Sequence, residues 1–170
     1  QVFTEQWDNK NINLSAVYEE EPLGTGGALV NVIQQKTTTG NILVINGDTL
    51  FKFEIESAQN LFENNIGTVV LIASKMRDVS RFGTITIKNS FVCSFQQATG
   101  KLESGIVSSG AYIMDSSLFM MDKELKPFSL EYDLFPELVI KRKLLAYVVD
   151  SDKGFLDMGT PDSYKEICAQ

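Results

Sequence analysis

The sequence predicts an α/β fold in one domain, with a mixed, mainly parallel sheet flanked by helices. Three observations carry that expectation. Apolar runs at 42–45 and 68–73 lack the polar alternation of a half-solvated strand. An amphipathic helical pattern lies between them, and strand–helix–strand with unbroken apolar strands is the mark of a parallel sheet covered on both faces. Beyond residue 82 the pattern changes to alternation around a two-residue turn, which adds an antiparallel hairpin.

Taken in order, residues 12–18 alternate Ile12, Leu14, Ala16 and Tyr18 with Asn13, Ser15 and Val17, which predicts a strand. A tight Gly-rich stretch at 22–27 leads into a helix at 28–35, where Ala28, Leu29, Val32 and Ile33 recur at helical spacing. A buried strand at 41–46 ends at Gly47-Asp48. The helix at 54–65 sets Ile55, Ala58, Leu61 and Phe62 on one face. After the strand at 68–73, segments 83–88 and 91–95 form the hairpin about Asn89-Ser90, and 106–114 is a further strand. Helices are expected at 116–121 and 134–143, a strand at 144–149, and a closing helix at 161–169 with Pro161 in its first turn. The chain carries no internal repeat, low-complexity tract or linker.

With 170 residues, one domain with a proper core is expected. Lys and Arg number 15 against 22 Asp and Glu, a net charge of −7, which argues against a nucleic-acid surface. The chain has 0 histidines, so Ser-His and Cys-His catalysis and His-ligated metals are excluded. Its chemistry must run on carboxylates, hydroxyls, amides, Lys or Arg. No apolar run approaches the ~18 residues of a membrane span. Cys93 and Cys168 have no metal-ligand spacing and read as thiols of a reducing compartment, the cytoplasm. No signal peptide is expected, and a start at Gln1 rather than Met is read as other than the native one.

Open α/β sheets bind ligands at the carboxyl ends of their strands, where Asp48 stands beside Gly47. Such a carboxylate suits Mg²⁺, which takes hard oxygen ligands and few of them from protein. A turn Asp capping the next segment is the other reading of the same residue. Asp157 has apolar neighbours, so a metal or a hydrogen-bond network would explain it. The triplet Asp150-Ser151-Asp152 is a third acidic feature and would suit a glycosyltransferase. In Glu19-Glu20-Glu21-Pro22-Leu23-Gly24-Thr25-Gly26-Gly27-Ala28, the glycines either serve the turn and helix entry or let a flat base lie against the backbone. Three carboxylates before the loop suit a base rather than a phosphate, because they accept from the N1–H and N2–H₂ of guanine.

These residues carry a resemblance. The Gly-rich stretch is followed in order by Val44-Ile45-Asn46-Gly47-Asp48, Arg81-Phe82-Gly83, Ser129-Leu130-Glu131-Tyr132-Asp133-Leu134-Phe135-Pro136 and a segment from Phe155 through Asp157 to Tyr164. The whole chain resembles the sugar-1-phosphate nucleotidylyltransferases, and most of all the guanylyltransferases acting on mannose 1-phosphate or D-glycero-D-manno-heptose 1-phosphate. That resemblance implies the Rossmann-like nucleotide-diphospho-sugar transferase fold. It also implies synthesis of a nucleoside diphosphate sugar, of GDP-mannose or GDP-heptose type, with release of pyrophosphate. By the same resemblance, Glu19, Leu23, Gly24, Thr25 and Gly47 bind the nucleotide, with GTP favoured. Asp48 and Asp157 are the catalytic residues and hold Mg²⁺. Gly83, Gln97, Glu103 and Ser108 bind the sugar 1-phosphate, while Glu131 and Asp133 tie a helix start to the core. A homo-oligomer is compatible with it.

The chain departs from the family at three places. It lacks the opening strand and Gly-x-Gly-Thr-Arg loop, so we expect an N-terminally truncated fragment. Gln97 and Ala98 stand where the family shows Glu-Lys, and Ala cannot neutralise a phosphate; Lys101 is the nearby candidate to do so. Ser108 stands where the family commonly has Asn. These losses leave open a catalytically impaired member that binds sugar nucleotides or regulates a partner.

Overall fold

A computed structural model describes residues 13–119, 125–149, 156–158 and 165. Helix α1 (Gly24–Lys36) precedes strands β1 (Asn41–Ile45) and β2 (Thr49–Leu50). Helix α2 (Ile55–Glu63) leads to β3 (Val69–Met76), the hairpin β4 (Thr84–Lys88) and β5 (Phe91–Gln96), and the long β6 (Gly105–Asp115). A 3₁₀ turn (Ser116–Phe119), a π-helical turn (Leu130–Leu134), α3 (Phe135–Ile140), β7 (Leu144–Val149) and β8 (Leu156–Asp157) complete the described elements.

The main sheet runs β1-β6-β3-β7-β5-β4, and β4 also touches β6, so the far end of the sheet curls back on itself. This corrects the expectation of a mainly parallel sheet: β3 and β7 pair in parallel, whereas every other described pairing is antiparallel. The physical reason lies in β6. Strands β1 and β3 do run the same way, as strand–helix–strand demands, but β6 wedges between them and pairs antiparallel with both. Local pattern sets direction along a connection; it does not reveal a later strand inserted between.

The unbroken apolar run of β3 is explained by what covers it. Val69, Leu71 and Ala73 face a cluster with Val30 and Ile33 of α1, Tyr112, Phe119, Phe135 and Leu138. Val70 and Ile72 face the opposite cluster, with Ala58 and Phe62 of α2, Ala111 and Ile113. Both sides of β3 and β6 are thus dry. Strand β1 is different: among the described strands it lies at the sheet edge, with Leu43 38% and Ile45 53% exposed, so the described residues do not bury this run as expected.

Other boundaries move for local reasons. Residues 13–18 form no strand, because alternation assigns faces but supplies no edge to bond, and Tyr18 is 72% exposed. Helix α1 begins at Gly24, absorbing most of the Gly-rich stretch into its first turn. The 134–143 helix is instead a π turn followed by six α-helical residues, ending where Arg142 turns left-handed at φ 53°. The 116–121 helix is a 3₁₀ turn up to Phe119; residues 120 and 121 lie outside the described set. So do Asp150-Ser151-Asp152, Cys168 and, apart from helical Lys165, the closing helix. No helix among the described residues is long and apolar enough to cross a membrane.

The hairpin turn carries a stability prediction. Asn89 (φ 51°) and Ser90 (φ 65°) are both left-handed, the conformation of a two-residue I′ turn, in which glycine is preferred at the second position. Ser90→Gly removes a Cβ from a left-handed residue and should raise stability by about 0.5–1 kcal/mol. Ser90→Ala should give no gain. Denaturant midpoints at unchanged m-value decide between the two outcomes.

Candidate active site

The site is built from the start of α1 outward. The Glu19 carboxylate accepts from the Leu23 N–H at 3.0 Å, so it caps a helix end whose first N–H groups have no partner in the helix. A second segment crosses here: the Gly26 and Gly27 N–H groups donate to the Phe128 carbonyl at 3.0 and 3.3 Å, and the Phe128 N–H donates to the Leu23 carbonyl at 3.0 Å. A Cβ on Gly27 would stand 2.8 Å from the Lys126 carbonyl oxygen, and one on Gly26 would enter the Phe128 ring. These two glycines therefore let segment 126–128 pack closely against the entry of α1. A Cβ on Gly24, at φ +70°, would stand 2.7 Å from the same Phe128 carbonyl oxygen.

Thr25 links this loop to the π turn. Its hydroxyl donates to Glu131 Oε2 at 2.7 Å and accepts from the Leu130 N–H at 2.9 Å. The Ser129 hydroxyl reaches the same carboxylate oxygen at 2.9 Å, and the Tyr112 hydroxyl donates to Oε1 at 2.9 Å. Ser129 also accepts from the N–H groups of Glu131 and Tyr132, and its own N–H donates to Asp133 Oδ2 at 2.7 Å. Glu131 and Asp133 thus do the tying role read from the sequence. Tyr112 is buried, and burial first, then the negative charge of Glu131, pushes its hydroxyl well above the ordinary tyrosine range. A hydrogen bond from Ser108 opposes that shift, and Asp48 adds to it.

Asp48 follows the edge strand, exposed, with Thr49 Oγ1 donating to its Oδ1 at 3.2 Å. In the small ladder, β2 and β8 pair antiparallel with Thr49 opposite Asp157, and the Met158 N–H donates to the Asp48 carbonyl at 2.8 Å. The backbone therefore brings positions 48 and 157 together from opposite ends of the chain. Gly47 beside them faces open space.

A cavity of about 450 Å³ opens where β4, β5, β6 and the π turn meet. Of the expected sugar contacts, Gly83, Gln97 and Ser108 line it. A Cβ on Gly83 would approach the Gln96 carbonyl to 2.9 Å, so this glycine lets the hairpin close beside the cavity. Glu103 is not brought to the cavity: its carboxylate accepts from Thr99 at 2.9 Å and its carbonyl from the Val79 N–H at 3.0 Å, a loop-bracing role. Lys101 is also absent from the lining. Arg81, Glu131 and Tyr132 do line it, and sequence reasoning misses them as contacts; the signal for Arg81 is its place in one motif with Gly83.

Comparison with known proteins decides the family. The nucleotidyl transferase family model matches residues 1–170. The chain belongs to the nucleotidyl transferase family. It is 32% identical over 158 residues to D-glycero-alpha-D-manno-heptose 1-phosphate guanylyltransferase of Aneurinibacillus thermoaerophilus, covering 91% of this chain and 66% of that protein. It is 26% identical to mannose-1-phosphate guanylyltransferase of Mycobacterium tuberculosis, over 90% of this chain but 43% of the relative. Among solved structures it resembles HddC from Yersinia pseudotuberculosis complexed with GMP-PN, with a TM-score of 0.76 and 28% identity, covering 99% of this chain and 72% of that one. This nucleotidyl transferase chain thus spans less than two thirds of the length of both curated relatives.

The packing around α1 and Tyr112 makes two substitutions informative. Gly27→Ala gains helix propensity of about 1 kcal/mol but drives a Cβ into a backbone carbonyl that cannot swing aside. Overpacking of that kind costs roughly 1–3 kcal/mol, so a net loss in the denaturant midpoint is expected. Tyr112 stays protonated in the fold while the unfolded chain ionises near an ordinary pKa of about 10. Its contribution is whole below that pH and is lost as pH rises towards the folded pKa. Unfolding free energies measured between about pH 8 and 11 should fall more steeply for the native chain than for Tyr112→Phe.

Proposed function

We propose that this chain is the catalytic part of a sugar-1-phosphate guanylyltransferase, joining GTP to mannose 1-phosphate or a heptose 1-phosphate and releasing pyrophosphate in the cytoplasm. The observation that carries the reading is Glu131, which bonds Thr25 of the nucleotide loop and also lines the cavity of Gly83, Gln97 and Ser108. One carboxylate thereby joins the wall of a nucleotide slot to the wall of a sugar slot. The names of the relatives support the same substrate classes.

The proposed chemistry needs no base. A sugar phosphate oxygen is already ionised at neutral pH, so a chain with 0 histidines can direct it at the α-phosphorus of the nucleotide. Catalysis is then positioning and charge stabilisation. Glu19, Leu23, Gly24, Thr25 and Gly47 would border the nucleotide, with the carboxylate of Glu19 turned to guanine donors. Gln97 and Ser108 would bond sugar hydroxyls, and Gly83 would leave room for the ring. The donor set at positions 48 and 157 fits Mg²⁺, being hard carboxylate oxygens of which one stands exposed at a strand end. Mg²⁺, when bound, would neutralise charge on the phosphate oxygens. An acidic chain can then receive two polyanions.

A second reading has its own support: Ala98 at the cavity lacks a charged group, as in a member that binds without turnover. Pyrophosphate release by the complete gene product, with Mg²⁺, GTP and a panel of sugar 1-phosphates, separates the two. Release is expected, and Asp48→Asn should lower it by on the order of 10²-fold, a loss typical of removing one charge-stabilising group. Stability should stay within about 0.5 kcal/mol, as for other exposed substitutions. Binding without release favours the regulatory member; neither binding nor release overturns both.

A further inference from the structure

Among the described residues the cavity is lined by one cation, and its presentation is built rather than incidental. Arg81 sits on a tight loop between β3 and β4. The Ser80 N–H donates to Asp78 Oδ1 at 2.9 Å, the Phe82 N–H donates to the Val79 carbonyl at 2.9 Å, and the Gly100 N–H donates to the Ser80 carbonyl at 3.2 Å. The guanidinium lies 5.6 Å from the centre of the Phe82 ring, within the range where a cation is drawn to an aromatic face. The charge is thus carried on a braced turn.

The other charged side chain lining the cavity is Glu131, which already accepts from three hydroxyls. Every remaining lining residue is neutral. A dianionic ligand entering a chain of net charge −7 therefore meets one cationic side chain among the described residues of this wall, a guanidinium that also attracts the Asp78 carboxylate. Guanidinium suits that task, because its planar fork pairs two N–H donors with two phosphate oxygens.

Resting on the reading that this cavity receives a sugar phosphate, we propose that Arg81 binds the phosphate of that substrate and sets the preference for a phosphorylated over a free sugar. Arg81 then supplies from the β3–β4 loop the charge that Ala98, in the same lining, lacks. It would act in binding, so its loss falls on affinity for the phosphorylated ligand and leaves sugar-hydroxyl recognition in place.

The test uses the full chain and two probes, mannose 1-phosphate and free mannose, titrated against native protein, Arg81→Gln and Arg81→Lys. Arg81→Gln should weaken mannose 1-phosphate binding at least tenfold and leave free mannose unchanged, with Arg81→Lys between the two. In the native chain, affinity for mannose 1-phosphate should fall with added salt while that for mannose does not, a check that needs no variant. Equal binding of mannose 1-phosphate by native protein and Arg81→Gln overturns the role of Arg81. So does a parallel loss of both probes, which would mark a structural residue. Native protein that binds neither probe, nor a heptose 1-phosphate titrated in the same way, overturns the reading of the cavity, and this inference with it.

Discussion

The carboxylate of Glu131 is the constraint on which the site depends. Hydroxyls from α1, β6 and Ser129, the cap of the π turn, converge on its two oxygens at 2.7 to 2.9 Å. Hydrogen bonds to a carboxylate are stronger than neutral ones, and removing the shared acceptor would take from the buried Tyr112 O–H the oxygen it donates to. Three elements distant in sequence are therefore held by one group. Because Thr25 follows Gly24 directly, the same bond fixes where the Gly-rich loop begins its helix.

The sheet supplies the frame for that convergence. Strand β6 is eleven residues long and passes β1, β3 and β4 in turn, so one strand carries both Tyr112, under the π turn, and Ser108, at the cavity. Its register against β3 shifts between these two positions, next to Gly110 at φ +68°. The irregularity re-aims the strand where it leaves β1 for β4, as bulges commonly do beside functional sites. The Asn46 N–H, just after β1, donates to the Gly110 carbonyl and delivers the chain to Asp48.

Legibility of the site tracks the range of the interactions involved. The acidic positions 48 and 157 stand out in their local settings, and the β2–β8 ladder brings their backbones together. Gly83, Gln97 and Ser108 belong to separate motifs and share one cavity, whereas Glu103 braces a loop. Gly26 and Gly27 are recognisable as special but not for what, since the segment 126–128 that fills the space beside them lies far along the chain. Arg81 escapes a reading of the sequence because it stands out only as the sole cation among the described residues of a wall whose other members come from separate strands, loops and the segment 131–136.

Short-range physics was sufficient for much of the fold. Apolar periodicity and turn chemistry determined α2, β3, the β4–β5 hairpin, β6 and β7, each of which forms close to its expected span. The absence of histidine and the acidic balance bounded the chemistry without reference to any fold. Tertiary structure alone decided that β6 enters between β1 and β3, that residues 13–18 form no strand, and that β1 lies on an edge among the described strands. Backbone hydrogen bonding between strands is blind to side-chain pattern and depends on which edges meet. A period in the sequence can assign a face to a strand; its neighbour is chosen by the packing of the whole sheet.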